Sequence, residues 1–288
     1  MSGEAVWWVF AAFSLVWGLV IGSFLNVVIL RMPEDRSLIP GSACPSCRTP
    51  VAPYDNVPVL SWLALRGRCR HCGAPISPQY PLIEALTGSL AFLAFVRFVP
   101  SVFEIDPAHG AAWLVYSSFL SILVVVSYVD LRHHIILDET SIYAVIPAIL
   151  GVAGMNALGY TGWLDLGWRE SVLGALLGGG AMAAVYFAVR FVLRTEGLGW
   201  GDVKLMAMMG AFLGPIPGLF LAVLMGSVLG SVVGLLKMVL TGQRGMLPMG
   251  PPLAVGAALY VLYGDLIRAR VFPGIGAWEE LMIWLLSG

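Results

Sequence analysis

The sequence predicts an all-α polytopic membrane protein with about eight transmembrane helices and a small loop domain between the first two. The first observation is composition: 59% of the 288 residues are hydrophobic and only 11% are charged. A typical soluble domain carries about 25% charged residues, so this chain could not cover a water-exposed surface. The net charge of −1 excludes a nucleic-acid-binding protein with a large basic face. The same composition excludes a disordered chain and a secreted disulfide scaffold.

The second observation is a series of apolar segments long enough to cross a bilayer, which takes roughly 20 residues. Residues 5–30 contain no charge and lack the features of a signal peptide, so they predict an uncleaved first helix. Residues 205–236 are too long for one helix, and Pro215 and Pro217 divide them into two. Residues 278–286 are too short to span and are predicted to lie in the membrane interface. The other predicted spans are 82–98, 111–129, one within 140–164, 171–189 and 251–264.

The third observation is the distribution of the sixteen Lys and Arg residues. If the spans alternate, twelve of them lie on one side, and six of those twelve lie in residues 31–81. Cytoplasmic loops carry an excess of Lys and Arg, so this side is predicted to be cytoplasmic. Arg268 and Arg270 depart from the pattern. The sequence therefore predicts a first transmembrane helix at 1–30, a cytoplasmic domain at 31–81 and a membrane-embedded region at 82–288.

All four cysteines lie in the predicted cytoplasmic domain, as two Cys-x-x-Cys pairs: Cys44 with Cys47, and Cys69 with Cys72. Two such pairs suit a tetrahedral Zn²⁺ site, because each tight turn presents two thiolates. Four cysteine ligands leave no position for water, so the zinc is expected to be structural. Two disulfides or a redox-active pair are the alternatives. The reducing cytosol disfavours the first, and no strand–helix–strand pattern supports the second.

Two aspartates lie where predicted helices meet the cytoplasmic boundary. Asp130 ends the third predicted span, and Asp202 begins the sixth, after Gly199 and Gly201. Ionisable residues at such positions are costly and are candidates for function. Two neighbouring carboxylates can share a proton, so that one activates water while the other protonates a carbonyl group. The glycines are expected to let the chain adopt positive φ and to let the backbone approach other backbone or the substrate closely. Helix caps or interfacial ion pairs are the alternative roles, and Asp138 is expected to start the next helix.

These features resemble those of the prepilin peptidases, the bacterial membrane aspartic proteases of type IV pilus and type II secretion systems. The resemblance extends over nearly the full length of the chain. It rests on the cysteine tetrad, on Asp130, and on the Gly-x-Gly-Asp sequence with Lys204 two residues on. Three further segments carry it: GSFLNVVILRMP (22–33), DNVPVLSWL (55–63) and SPQYPLIE (77–84).

The resemblance implies that Asp130 and Asp202 are the catalytic pair, with Gly199, Gly201 and Lys204 supporting the active site. The substrate is then a prepilin or pseudopilin whose basic leader lies in the cytosol and whose apolar helix lies in the bacterial inner membrane. Many members also N-methylate the new N-terminus with S-adenosylmethionine, for which no binding residue is assigned. The alternatives are a peptidase without methyltransferase activity, and a non-catalytic zinc-loop scaffold or transporter.

Two other polar residues of the predicted spans are candidates for supporting roles. Glu84, near the start of the second span, could bind the new amine or a substrate cation. Its alternative role is that of an interfacial carboxylate whose hydrogen bonds are satisfied within the protein. Asn26, near the end of the first span, is expected to be a supporting polar group.

Overall fold

The computed structural model describes residues 2–39, 41–194, 199–242 and 248–271. This part of the chain is helical and contains no β-strand, which confirms the predicted fold class. The predicted interfacial segment 278–286 lies outside the described residues. The helices are α1 (Gly3–Arg31), α2 (Leu60–Ala64), α3 (Gln79–Phe98), α4 (Pro107–His133), α5 (Val145–Ala157), α6 (Trp168–Ala188), α7 (Trp200–Leu213), α8 (Phe220–Thr241) and α9 (Gly250–Val271).

Six helices of the described chain are long and apolar enough to cross a membrane, whereas α5 and α7 are shorter. The 14 residues of α7 extend over about 21 Å, which is less than the ~30 Å thickness of a hydrocarbon core. The predicted division of residues 205–236 is confirmed, because α7 ends at Leu213, Gly214 follows it with φ of 69°, and Pro215–Leu219 leads into α8. The first half of that segment is nevertheless too short for a full span.

Glycines permit close helix packing between α1 and α3 and between α6 and α7, the two helix pairs with the most extensive contact among the described residues. A side chain on Gly22 would lie 2.7 Å from the backbone of Glu84. Gly174 and Gly210 face each other backbone to backbone, and Ser171 Oγ nearby donates to the carbonyl of Ala211 at 2.6 Å. Small residues at such crossings let membrane helices gain van der Waals contact.

Successive membrane helices alternate in direction, so both candidate aspartates lie at the same end of the bundle. Gly250, the first residue of α9, contacts Asp130 near the end of α4. Lys204, in the first turn of α7, pairs with Asp138, which follows α4. We call this end the aspartate face. That it faces the cytoplasm stays a prediction, as does the division of the chain into parts at 1–30, 31–81 and 82–288.

A polar contact between α3 and α9 marks the opposite end of the bundle. Arg97 lies 2.7 Å from Asp265 and 4.6 Å from the ring centroid of Trp163. Helix α9 therefore runs away from the aspartate face. Arg268 and Arg270, in its last turn, belong to the opposite end, which explains why they depart from the predicted charge pattern.

Candidate active site and metal centre

Asp130 lies one turn before the end of α4 and is only 7% exposed. A carboxylate near a helix C-terminus faces the negative end of the helix dipole, so its charge needs support from another element. Helix α9 provides that support. The backbone N–H of Gly250 donates to Asp130 Oδ2 at 2.8 Å, and α9 begins here with the positive end of its dipole.

Asp202 is the third residue of α7 and lies within electrostatic reach of Asp130. Its backbone N–H donates to the carbonyl of Gly199 at 3.1 Å, and its carboxylate lies near Gly199, since a Cβ on that glycine would be 3.7 Å from Asp202 Oδ2. Among the described residues, no side-chain hydrogen bond caps the start of α7. Asp202 lies in the first turn of α7, where the helix dipole favours a carboxylate, and near a second carboxylate.

The two glycines before Asp202 do not adopt positive φ. Gly199 has φ of −80°, and Gly201 is not among the glycines of positive φ, so that expectation is wrong for both. Close approach is the correct explanation for Gly201, because a side chain there would lie 3.0 Å from Ile136 Cβ. Because Gly201 has no side chain, the segment after α4 can lie against the first turn of α7. This packing brings Asp202 within electrostatic reach of Asp130.

An ion pair between Lys204 and Asp138 joins the same two segments. The two side chains are 22% and 45% exposed, so water screens the pair in part. The expectation that Asp138 starts the next helix is wrong, because the helical turn Ile142–Ala144 begins only after Ser141. Asp138 contributes an ion pair and not a helix cap.

Glu84 connects the loop domain to the membrane helices. Its Oε2 accepts a hydrogen bond of 2.7 Å from the backbone N–H of Val59, and Glu84 is 7% exposed. Val59 has φ of 61°, which is a strained conformation for a β-branched residue. The described contacts of Glu84 are therefore those of a satisfied carboxylate. Asn26 joins α1 to α3, since its Nδ2 donates to the carbonyl groups of Gly22 at 3.3 Å and Tyr80 at 3.1 Å.

The four cysteines form one cluster, in which all Sγ atoms lie within 4.8 Å of one another. The Sγ atoms of Cys44 and Cys72 are 3.8 Å apart, and those of Cys47 and Cys69 are 4.0 Å apart. A tetrahedral zinc site with Zn–S distances of about 2.3 Å has S–S edges of about 3.8 Å. The cluster therefore fits a tetrahedral metal.

Backbone hydrogen bonds form the two cysteine turns in the same way. In the first turn, the Cys44 N–H donates to Thr49 O at 3.0 Å and the Arg48 N–H to Cys44 O at 2.9 Å. The second turn repeats both bonds around Cys69, where Gly73 takes the place of Arg48, and both closing residues have positive φ. Hydrogen bonds from the side chain and backbone of Thr49 lower the pKa of Cys47 to about 6, which favours the thiolate that a metal binds.

The loop domain has almost no core of its own. Among residues 41–78, only Cys44, Ser61 and Gly67 are buried. So small a set of buried groups cannot offset the entropy of ordering the loop, and domains of this kind are commonly held by a metal. The four-cysteine cluster is the element that could fill this role.

Gly250 is a part of the site that the sequence did not predict. Pro251 and Pro252 directly follow Gly250 and were available as a signal, because proline is favoured at the first positions of a helix. They indicate that a helix begins at this point. Residues 251–264 are predicted as a short span, but the start of that span does not by itself place a backbone amide beside Asp130.

Comparisons with known proteins assign the chain to a family. The model of the "Bacterial Peptidase A24 N-terminal domain" matches residues 16–98, which include all four cysteines, and that of the "Type IV leader peptidase family" matches residues 117–235, which include Asp130 and Asp202. No solved structure matches the chain significantly.

Three curated relatives carry the name prepilin leader peptidase/N-methyltransferase. The protein from Aeromonas hydrophila is 33% identical over 287 residues, which cover 90% of this chain and 93% of that protein. The protein from Burkholderia pseudomallei (strain 1026b) is 36% identical over 283 residues, covering 88% and 85%. That from Myxococcus xanthus is 43% identical over 208 residues, covering 71% of this chain and 56% of the relative. The chain therefore belongs to the type IV leader peptidase family.

Proposed function

We propose that this chain removes the leader peptide from prepilins or pseudopilins, with Asp130 and Asp202 as its catalytic pair, and that it N-methylates the new N-terminus. One observation carries the proposal. A bundle with few charges holds two carboxylates within electrostatic reach of each other, and a backbone amide binds one of them, Asp130. The relatives named prepilin leader peptidase/N-methyltransferase support the substrate class and the second activity.

In the proposed cleavage, the two aspartates share one proton. The ionised carboxylate takes a proton from water while the water oxygen attacks the scissile carbonyl carbon, and the protonated carboxyl group gives its proton to the carbonyl oxygen. Collapse of the tetrahedral intermediate breaks the C–N bond, and the nitrogen leaves as an amine after taking a proton from the pair. The Gly250 amide fixes the Asp130 carboxylate during these transfers.

The proposal makes the aspartate face the cytoplasmic face of the bacterial inner membrane. The basic residues of 31–81 favour this orientation. A substrate whose apolar helix lies in the bilayer then presents the peptide bond next to that helix at the level of Asp130 and Asp202. The basic leader stays in the cytosol, where it needs no transfer of charge into the membrane.

Zn²⁺ is the metal we assign to Cys44, Cys47, Cys69 and Cys72, which would hold it in a closed tetrahedral site. There it would stabilise the loop domain and not take part in the cleavage. S-adenosylmethionine supplies the methyl group in the second reaction. The nitrogen released by cleavage is the methyl acceptor, so the peptidase reaction produces the substrate of the methyltransferase.

Incubation of the purified protein with a prepilin and S-adenosylmethionine, followed by intact-mass analysis, tests both activities together. The expected product has lost its leader and gained the mass of one methylene group. A product without that gain would support the peptidase-only alternative. A prepilin that remains intact would contradict the proposed function.

A further inference from the structure

Gly250 approaches Asp130 more closely than any other residue type could. Its N–H lies 2.8 Å from Asp130 Oδ2, and a Cβ on Gly250 would lie 2.7 Å from that oxygen and 3.2 Å from both Cβ and Cγ of Asp130. Both residues are buried. A side chain at position 250 therefore could not be accommodated without moving the Asp130 carboxyl group.

The start of α9 leaves the Gly250 N–H as the amide available to this carboxylate. The first N–H groups of a helix have no partner within the helix. Pro251 and Pro252 have no N–H at all, and the Leu253 N–H already donates to the carbonyl of Met249 at 3.3 Å. Within the described residues, the first turn of α9 thus offers one unpaired amide, and that amide binds Asp130.

This contact orients the two carboxylate oxygens. The amide binds Oδ2, and Oδ1 is the oxygen without this hydrogen bond. The remaining titratable groups within electrostatic reach of Asp130 are Asp202 on α7 and His134 at the end of its own helix. Neither of them forms a hydrogen bond to the Asp130 carboxylate in the described part of the chain, since the His134 N–H donates to the backbone carbonyl of Asp130 at 3.0 Å. Gly250 is therefore the group that fixes the rotation of the Asp130 side chain.

We propose that Gly250 is a positioning residue for the peptidase reaction, since its backbone N–H fixes the Asp130 carboxylate and its lack of a side chain allows that approach. This inference rests on the proposed catalytic role of Asp130. It concerns cleavage alone, because the aspartate pair is assigned to the peptidase reaction.

The test is the substitution Gly250→Ala in the full-length protein. Displacement of a reacting group by about 1 Å can cost about 10²-fold in rate. We expect kcat for prepilin cleavage to fall by about 10²-fold, with KM within about twofold of the wild-type value because the substitution does not remove a substrate contact. Methyl transfer to a pilin supplied without its leader should be retained.

Gly180→Ala is the matched control. Gly180 is also a glycine within a membrane helix, but a Cβ there has no neighbour within 4 Å, so both activities should stay at the wild-type level. Wild-type cleavage by Gly250→Ala would overturn the inference. Equal loss of cleavage and methyl transfer would also overturn it, because it would indicate a general structural role.

Hydrogen exchange provides a second measurement if Gly250→Ala fails to fold. In Asp130→Ala, the Gly250 amide loses its acceptor and should exchange faster than in the wild-type protein, whereas unchanged exchange would overturn the inference. Failure of the proposed function is distinguishable from failure of this inference. Retained cleavage in Asp130→Asn would remove the catalytic role of Asp130, whatever the effect of Gly250→Ala.

Discussion

Replacement of Glu84 by Ala should release the loop segment around Val59 from the membrane helices. Glu84 Oε2 accepts a hydrogen bond of 2.7 Å from the Val59 N–H, and Glu84 is 7% exposed. A hydrogen bond to a charged group contributes about 1.5–3 kcal/mol, and each 1.4 kcal/mol corresponds to about a factor of ten. The positive φ of Val59 costs about 1–3 kcal/mol, so the segment should leave this conformation once the carboxylate is removed.

Hydrogen exchange measured by mass spectrometry on peptides that contain Val59 reports this release directly. Protection of the Val59 amide should fall by about 10–100-fold in Glu84→Ala. The fall should be smaller in Glu84→Gln, which keeps a carbonyl acceptor of nearly the same shape.

Thr87→Ala is the matched control for this experiment. Thr87 is a buried polar residue on the same helix, but its hydroxyl donates to the Ile83 carbonyl within α3. Its removal should therefore leave the loop unchanged. Wild-type exchange at Val59 in Glu84→Ala would refute the reasoning, and so would an equal effect of Thr87→Ala.

Three other outcomes follow from the metal cluster, the ion pair and the cap of α4. Cys72→Ser or treatment with a chelator should make residues 31–81 sensitive to limited proteolysis while the membrane helices stay folded, because few loop residues are buried. Reversing the charge of either Asp138 or Lys204 should slow cleavage by about 2–5-fold, since a partly exposed pair contributes about 0.2–1 kcal/mol; reversing both charges together should restore the rate. Hydrogen bonds from the backbone and side chain of His109 hold the pKa of Asp106 below its ordinary value of 3.8. This cap therefore stabilises the protein above about pH 4, and its contribution is lost as the pH falls through the lowered pKa; Asp106→Asn should remove that part of the pH dependence of Tm.

Each of these outcomes has a control or a contradicting result. Ser46→Ala changes an exposed residue between two cysteines and should keep both the metal and the protease resistance. A protein without bound metal whose loop domain still resists protease would contradict the structural role of the metal. A doubly reversed ion pair that stays as slow as the single variants would argue against a positioning role for the pair. For Asp106→Asn, an unchanged dependence of Tm on acidic pH would contradict the assignment.

The membrane fold and the cysteine cluster could be predicted because each depends on a local pattern. An uncharged stretch such as residues 5–30 indicates a membrane helix by its composition alone. The Cys-x-x-Cys spacing places two sulfur atoms on one turn, and two such turns in a short loop indicate a shared metal. Asp130 and Asp202 were identified for a related reason, since carboxylates at the ends of apolar helices are rare.

The contacts that complete the site could not be predicted, because they join residues far apart in the sequence. Gly250 and Asp130 are 120 positions apart, and no local pattern shows that one amide meets one carboxylate. The link from Glu84 to Val59 requires a strained backbone that propensities disfavour at valine. Gly201 was correctly identified as a glycine of the site. Whether a glycine is needed there for positive φ or for close approach depends on the contact with Ile136, which only the packing reveals.

Cleavage of a prepilin by Asp130→Asn and by Asp202→Asn tests the central claim most directly. Each substitution keeps the shape of the side chain and removes its ability to exchange a proton. The account predicts that either variant loses leader cleavage, measured by intact mass, while zinc content and methyl transfer to a leaderless pilin remain at the wild-type level. Cleavage at the wild-type rate by either variant would contradict the account.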